Sequence, residues 1–226
     1  MGYEMFNLNL GCPSATVTAK GKGAGLLQKP DALDALLAGV FSGSPIGVSL
    51  KSRIGFLSPD EFPPLLDIYR KYAARELILH PRTRKEMYAG AVHTDAFDRA
   101  AAESPFPVVY NGDLFTAEDV RAFERTHPET EAVMLGRGAA ADPALFRQLR
   151  GGAPARREEL RRFHEELYAA YREELGGVNA MRKMKELWHY LSSLFDGGDE
   201  LAKKIARTKD VYKFNDYISE AFTALN

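Results

Sequence analysis

Five short apolar runs, each passing directly into polar or glycine residues, are the feature that most constrains the fold of this chain. The runs are Phe6 to Leu10, Ile46 to Leu50, Glu76 to Leu79, Pro107 to Tyr110 and Ala132 to Leu135. Runs bounded in this way are typical of strands that are buried on both faces. Because helix-like stretches lie between them, the pattern predicts a parallel sheet with right-handed crossovers.

Helix signals and the spacing of the strand ends support this interpretation. Helices are predicted for Pro30 to Phe41, Ser58 to about Tyr72 and Thr116 to about Arg125, because proline, acidic and capping residues stand at their starts. Strand ends at positions 9, 51, 80, 111 and 136 are 42, 29, 31 and 25 residues apart. A βαβ unit needs about 30 residues, so the intervals fit strand–helix–strand repeats.

The length of the α/β part leaves two architectures open. A (β/α)₈ TIM barrel needs about 250 residues, whereas residues 1–150 have room for about five units. The chain is therefore either a smaller open sheet or the C-terminal part of a barrel, carrying strands 4 to 8. A strand-like run already under way by residue 5 favours the incomplete barrel.

The last third of the chain has a different pattern. After Gly151-Gly152-Ala153-Pro154 no strand-like run follows, and helices are predicted at about 156–175, 179–195, 198–207 and 210–225. We therefore expect a domain boundary near 151–155, with an all-α helical bundle over residues 156–226.

Composition excludes several classes of protein. With 226 residues, 45% hydrophobic and 27% charged, the chain is neither disordered nor collagen-like. Its net charge of -1 means that any contact with nucleic acid must use a local patch. A single cysteine excludes an intrachain disulfide, and no apolar run approaches the roughly 20 residues that cross a bilayer. Because the start also lacks a secretory layout, we expect a cytoplasmic monomer that does not bind membranes.

The unusual polar residues follow or close the predicted strands, where barrels and open parallel sheets collect their chemistry. Lys51 and His80 are uncommon at strand ends, although each alone is more often structural. Asn111-Gly112-Asp113 and Gly136-Arg137-Gly138 follow consecutive strands, and glycine N–H groups with an arginine suit a phosphate. In a barrel, the loops after strands 7 and 8 are the usual phosphate site.

Cys12 is the candidate reactive group, since Gly11-Cys12-Pro13 places it just past a strand end. The alternative is a small buried side chain. The nearby segment 20–25 is rich in glycine and lysine but lacks the spacing of a dinucleotide loop, so we expect a mobile lid or an RNA-facing loop. The five histidines show no metal-ligand spacing with Cys12, so no metal site is expected.

These motifs together resemble those of the tRNA-dihydrouridine synthases, which are flavin enzymes that reduce uridines in tRNA. The matching stretches are Asn7 to Pro13, Gly23 to Leu27, Leu50 to Arg53, His80 to Arg84 with Met87 to Gly90, Asn111 to Asp113, and Met134 to Gly138. They span nearly all of residues 5–147, in the family's order. The combination of Asn-x-Gly-Cys-Pro with His-x-Arg-Thr-Arg is the specific part.

The resemblance implies a role for each candidate residue. FMN would be the cofactor, with NADPH or NADH as reductant, and its phosphate would be held by Asn111, Gly112, Asp113, Gly136 and Arg137. Lys51 and His80 would lie along the flavin ring, with Asn9 and Arg82 near the target uracil. Cys12 would be the general acid, since a thiol is largely protonated at neutral pH.

The helical tail is implied to help bind tRNA. Arg182 and Lys185 share a helix face with His189, and a solvated face is an equally good interpretation. The chain lacks the family's early Ala-Pro-Met-like strand and a later glutamine, and His80-Pro81 replaces the usual His-Gly. Two other functions therefore stay open: another FMN barrel, such as a dihydroorotate-dehydrogenase-like enzyme, and an inactive, flavin-free RNA-binding fragment.

Overall fold

Four parallel strands form the sheet of the computed structural model, which describes residues 2–223. They are β1 (Met5–Asn9), β2 (Gly47–Arg53), β3 (Leu77–His80) and β4 (Val108–Tyr110). Each strand pairs with the next one along the chain, in the order β1-β2-β3-β4. Such a one-directional order is that of successive barrel strands, whereas the order of a doubly wound sheet reverses. The predicted α/β fold of (β/α)₈-barrel type, followed by helices, is confirmed.

The prediction of a fifth strand at Ala132 to Leu135 is wrong. Only a single parallel bridge joins Val133 to Tyr110 within the described residues. The chain leaves the extended conformation at Gly136, where φ is -107° and ψ is -89°, and a helix begins at Arg137. The extended segment therefore ends directly after the run, and its pairing stays a single bridge.

One predicted strand end moves. Strand β2 continues past Lys51 to Arg53, whereas β3 ends at His80, as the spacing predicts. Lys51 consequently lies inside a strand and His80 closes one, so the sheet itself fixes their backbones.

Helices connect the strands, as the predicted crossovers require. They are α1 (Ala15–Thr18), α2 (Pro30–Gly43), α3 (Phe62–Tyr69), α4 (Thr94–Glu103) and α5 (Ala117–Thr126). Short 3₁₀ turns cover Gly23–Gln28 and Pro59–Glu61. Helix α4 was not predicted, because its buried face consists of Ala96, Phe97 and Ala100, and two alanines give little apolar periodicity.

The remaining helices follow one another with no strand among residues 137–223. They are α6 (Arg137–Ala141), α7 (Leu145–Leu149), α8 (Arg157–Leu175), α9 (Gly177–Leu191), α10 (Gly198–Arg207) and α11 (Val211–Thr223), with a 3₁₀ turn at Ser192–Leu194. The four predicted tail helices match α8 to α11 in order and nearly in length; the last predicted residues, 224 and 225, lie outside the described part of the chain.

The chain packs as two units. The first contains the described residues up to Asp113 together with Phe123–Met134, and the second contains Leu114–Ala122 and the residues from Leu135 onward. Leucines from α2, the strands and α3 fill the first core, including Leu33, Leu37, Leu50, Leu66, Leu77 and Leu79. The second core surrounds the buried Trp188. The predicted domain boundary near 151–155 stays a prediction.

Within residues 2–223, no helix is both long and apolar enough to cross a bilayer. Nor do three or more histidine, cysteine or acidic side chains of these residues gather as metal ligands.

Candidate active site

The carboxyl ends of the strands bring candidate residues to one edge of the sheet. In the parallel register, Asn9 pairs with Lys51, and Arg53 pairs with His80. Asn111 directly follows β4 at the same edge. Residues that are far apart in sequence are thus neighbours, because parallel strands present all their carboxyl ends together.

Lys51 and Asn111 form the central polar pair of this edge. The Nζ atom of Lys51 donates a hydrogen bond of 2.7 Å to Oδ1 of Asn111, whose Nδ2 donates one of 2.8 Å to the carbonyl of Met134. Burial, helped by the nearby charge of Arg53, lowers the pKa of Lys51 from 10.5 to about 8. A largely dehydrated ammonium group of this kind is stabilised by an anionic ligand beside it.

Asn9 shapes the loop that carries Cys12. Its Oδ1 accepts hydrogen bonds from the N–H groups of Gly11, at 3.1 Å, and Cys12, at 3.0 Å. This arrangement is an Asx turn, which asparagine favours. The Cys12 thiol is free and partly exposed at the end of the turn. The predicted place of Asn9 near a substrate stays a prediction, with Oδ1 already engaged in the loop.

The glycine-rich segment packs against Cys12 through its second half, and the mobile lid or RNA-facing loop expected for residues 20–25 stays a prediction. Gly23–Gln28 form a 3₁₀ turn in which Gly23, Ala24 and Gly25 are buried. The N–H of Ala24 donates to the carbonyl of Cys12 at 3.0 Å. A Cβ on Gly23, where φ is +54°, would lie 2.9 Å from Cβ of Cys12. The glycine therefore permits close packing on the cysteine.

His80 is buried at the end of β3, beneath an aromatic ring. Its ring centroid lies 5.8 Å from that of Tyr88, with an interplanar angle of 29°. Tyr88 is 50% exposed, and the guanidinium of Arg53 lies 5.3 Å from its ring centroid. The sequence motifs predict no role for Tyr88. The predicted place of His80 along a flavin ring stays a prediction.

Arg82 and Asp113 form a two-point ion pair. Arg82 is 1% exposed, and its Nη1 and Nη2 donate to the two carboxylate oxygens of Asp113 at 2.6 and 2.5 Å. Nη2 also donates to the carbonyl of Gly90. The hydrogen bonds to Asp113 raise the pKa of Arg82 above its ordinary value. Their predicted roles, at the uracil and at the phosphate, stay predictions, and the Nε atom of Arg82 is buried without a hydrogen-bond partner.

Gly112 is required by the protein's own packing. A Cβ there would lie 2.7 Å from the hydroxyl oxygen of Tyr110. Gly112 is buried, and its N–H donates no hydrogen bond to any of residues 2–223. The predicted contact with a phosphate stays a prediction.

Sequence reasoning missed Arg53, which ties two loops to β2. It is only 2% exposed. Its Nη1 donates to the carbonyls of Thr83 and Met87 at 2.8 and 2.6 Å, and its Nε donates to that of Gly11 at 3.2 Å. An arginine can bond several carbonyls because its guanidinium carries five N–H donors. The available signal was a second cation within the strand that contains Lys51.

Comparison with known proteins decides the family. The family model for "Dihydrouridine synthase (Dus)" matches residues 1–225. This chain belongs to the dihydrouridine synthase family. The resemblance drawn from the motifs is thereby confirmed.

Named relatives of the synthase family match most of the chain. A tRNA-dihydrouridine(16) synthase of Cupriavidus necator is 30% identical over 90% of this chain and 65% of its own length. The enzyme of the same name from Pseudomonas putida is 32% identical over 73% of this chain and 51% of its own. A tRNA-dihydrouridine synthase B of Pasteurella multocida is 31% identical over 65% and 44%. The chain thus spans between two fifths and two thirds of these relatives.

Two predicted phosphate ligands of this dihydrouridine synthase family member lie in the second unit. Gly136 is exposed before α6, and the guanidinium of Arg137 lies 4.9 Å from the ring centroid of Phe115. A Cβ on Gly138 would lie 2.5 Å from the carbonyl oxygen of Leu114, so that glycine is needed for packing. The role of Gly136 and Arg137 at a phosphate stays a prediction.

The predicted tRNA contacts of this chain lie on α9. The Nζ atom of Lys185 donates to the carbonyls of Ala206, at 3.2 Å, and Thr208. Burial and neighbouring positive charges lower its pKa. Lys185 therefore caps the carbonyl end of α10. Arg182 is exposed and bonds Asn179 at 3.2 Å; for both cations the contact with tRNA stays a prediction.

Proposed function

We propose that this chain reduces uridines in tRNA to 5,6-dihydrouridine, with FMN as cofactor and NADPH or NADH as the ultimate reductant. One arrangement carries the proposal: Lys51, held by Asn111, lies in register with Asn9, which shapes the Cys12 loop. A cation for the cofactor and a thiol for the substrate thus belong to adjacent strands. The names of the relatives, which are longer than this chain, support the same substrate.

Residues of the first unit suit both the ring and the phosphate of FMN. The buried ammonium of Lys51 would gain a countercharge from a reduced, anionic ring. The N–H of Gly112, which donates no hydrogen bond within residues 2–223, is the donor that we propose for a phosphate oxygen. His80 is the further proposed ring contact, and Gly136 and Arg137 remain proposed phosphate ligands on sequence grounds alone. We propose that these residues hold the cofactor.

The chemistry that we propose divides between cofactor and protein. Reduced FMN, when bound, supplies hydride to C6 of the uracil. The Cys12 thiol gives its proton to C5, which completes saturation of the C5–C6 bond. Asn9 offers its Nδ2 to the uracil, since its Oδ1 is engaged by the loop. Arg82, whose buried Nε has no hydrogen-bond partner, is the second uracil contact that we propose.

The substrate must present its base outside the helical stack. An enzyme that acts on a ring atom of a paired or stacked base needs that base extruded into its pocket. We propose that Arg182 contributes to holding the tRNA backbone, as an exposed cation on α9. The proposed reaction belongs in the cytoplasm, where tRNA and nicotinamide nucleotides occur together.

Spectroscopy and product analysis test the proposal. The purified chain, or the chain reconstituted with FMN, should absorb near about 450 nm as bound flavins do. With NADPH it should form dihydrouridine in an unmodified tRNA transcript, measured by mass spectrometry of nucleosides. Cys12→Ala should slow this reaction by about 10²-fold or more, the usual contribution of a general acid, and should retain flavin as well as the parent does.

Three results would contradict the proposal. A colourless chain that binds RNA but cannot take up FMN would support an RNA-binding fragment. Oxidation of dihydroorotate without reaction on tRNA would support another flavin barrel. Loss of flavin from Cys12→Ala would mean that the division between cofactor and substrate residues is wrong.

A further inference from the structure

The backbone on both sides of Cys12 is tied to an arginine. The Nε atom of Arg53 donates to the carbonyl of Gly11, immediately before the cysteine, at 3.2 Å. The Nε atom of Arg84 donates to the carbonyl of Pro13, immediately after it, also at 3.2 Å. The carbonyls of both chain neighbours of Cys12 are therefore bonded, each to an arginine from a different part of the chain.

Arg53 is anchored on the sheet. It is the last residue of β2 and is paired with His80 in the strand register. Its Nη1 holds the carbonyls of Thr83 and Met87. If the bond to one of these three carbonyls is lost, the other two still hold the guanidinium. Arg53 is therefore a rigid support for the carbonyl of Gly11.

Arg84 is fixed by the loop that follows β2. Its N–H donates to the carbonyl of Gly55 at 2.9 Å, and its guanidinium lies 5.2 Å from the ring centroid of Phe56. A guanidinium over an aromatic ring gains a cation–π interaction. Arg84 is only partly buried, so it can be replaced with less damage to the core than Arg53.

The peptide groups of Cys12 itself are also bonded. Its N–H donates to Asn9, and its carbonyl accepts from the N–H of Ala24 at 3.0 Å. With both neighbouring carbonyls held as well, the loop has little freedom to shift. A proton donor gains rate from such fixation, because a misplacement of about 1 Å can cost a reaction about 10²-fold.

We infer that Arg53 and Arg84 are positioning residues that hold the Cys12 thiol in its reactive place. This inference rests on the proposed function, in which Cys12 is the proton donor. Neither arginine needs to touch the substrate, since both act through the carbonyls of the cysteine's neighbours. The expected consequence is a loss of turnover without an equal loss of tRNA binding when either bond is removed.

The reactivity of Cys12 gives a test that needs no cofactor. The chain has one cysteine, so the rate of alkylation by iodoacetamide reports on it alone. Arg84→Ala should change this rate at least about threefold, and Arg84→Lys, which can still donate to the carbonyl, should restore most of it. Arg75→Ala, an exposed arginine before β3, is the matched control and should leave the rate unchanged.

Turnover of the FMN-loaded chain gives the second test. Arg84→Ala should lower kcat about 10-fold to 100-fold with little change in KM for tRNA. In a Cys12→Ala background the same substitution should have almost no further effect, because the group that it positions is gone. Arg53→Lys should behave as Arg84→Ala does; thermal unfolding identifies any variant that fails to fold.

The two hypotheses fail in different ways. An alkylation rate equal to the parent's in Arg84→Ala, or an equal loss of kcat with and without Cys12, would overturn the positioning role. A Cys12→Ala variant with full turnover would instead overturn the proposed proton donor, while the alkylation measurement would still decide whether the arginines hold the loop.

Discussion

Lys51 and Asn111 are joined by a hydrogen bond of 2.7 Å, although 60 positions separate them in the chain. They stand at the carboxyl ends of β2 and β4, which have β3 between them in the sheet. Two strand spacings are about 10 Å, so only a long side chain crosses this gap. The bond therefore keeps a cation at the edge where the site lies.

Replacing Lys51 by methionine should make the flavin-free chain more stable at neutral pH. The pKa of Lys51 is about 8 in the folded chain and 10.5 when unperturbed. At pH 7 the protonated lysine therefore lowers the free energy of unfolding by up to about 3 kcal/mol. The lost bond to Asn111 offsets part of this gain.

The sign of the pH dependence follows from the same pKa. The folded pKa is lowered, so the parent gains stability as the pH rises from 8 to 10.5, where the lysine becomes neutral in both states. Urea unfolding should show that the difference in the free energy of unfolding between Lys51→Met and the parent becomes smaller over this pH range. Lys20→Met, at an exposed position, should give a constant difference; a constant difference for Lys51→Met would contradict the prediction.

A methyl group on Gly23 should disturb the Cys12 loop. Gly23→Ala meets Cβ and the carbonyl oxygen of Cys12 at 2.9 Å and also adopts an unfavourable φ of +54°. Gly21→Ala is the matched control, since its φ is +63° but nothing lies within 4 Å. We expect the free energy of unfolding to fall by about 1 kcal/mol in the control and by about 2–4 kcal/mol in Gly23→Ala.

Urea unfolding measures this difference, and alkylation of Cys12 shows whether the loop has moved. Equal losses of stability for the two variants would mean that the loop yields to the methyl group without cost.

Removing Asp113 should destabilise the fold through Arg82. Breaking a buried ion pair costs about 3–5 kcal/mol, and because Asp113 is about a third exposed we expect about 2–3 kcal/mol for Asp113→Ala. The double variant with Arg82→Met should lose less than the sum of the single losses. Asp67→Ala, which removes an exposed pair with Arg70, should cost less than about 1 kcal/mol. Additive losses at Arg82 and Asp113 would show that the pair is not coupled.

Acid should destabilise the second unit through His164. This ring is buried and accepts a 3.0 Å hydrogen bond from Nε1 of Trp188, and burial lowers its pKa from 6.5 to about 4. Since the folded pKa is lowered, its stabilising contribution is complete above pH 6.5 and falls by up to about 3 kcal/mol as the pH drops to 4.

Trp188 is the only tryptophan in the chain, so its fluorescence follows unfolding beside His164. His164→Gln keeps an acceptor but cannot titrate, and it should remove most of the pH dependence between 6.5 and 4. The exposed His189→Gln is the control. The same acid sensitivity in His164→Gln as in the parent would assign the effect to other groups.

The strands and tail helices were predictable because their signals are local. Apolar runs, capping residues and glycines act within a few positions, so α2, α5 and the helices after Arg156 were found close to their observed bounds. The prediction failed where local pattern and packing disagree. The run at Ala132 to Leu135 is apolar like a strand but forms only one bridge. The buried face of α4 consists mainly of alanines and therefore gives little apolar periodicity.

Residue types within short stretches were enough to identify the fold class, the family and the polar residues at the strand ends. The contacts of those residues could not be read in this way. The bonds of Arg53 and Arg84 to the Cys12 loop join positions more than 40 and 70 residues apart. A hydrogen bond depends on distance in space, and the folded sheet with its loops brings such distant carbonyls within reach of a guanidinium.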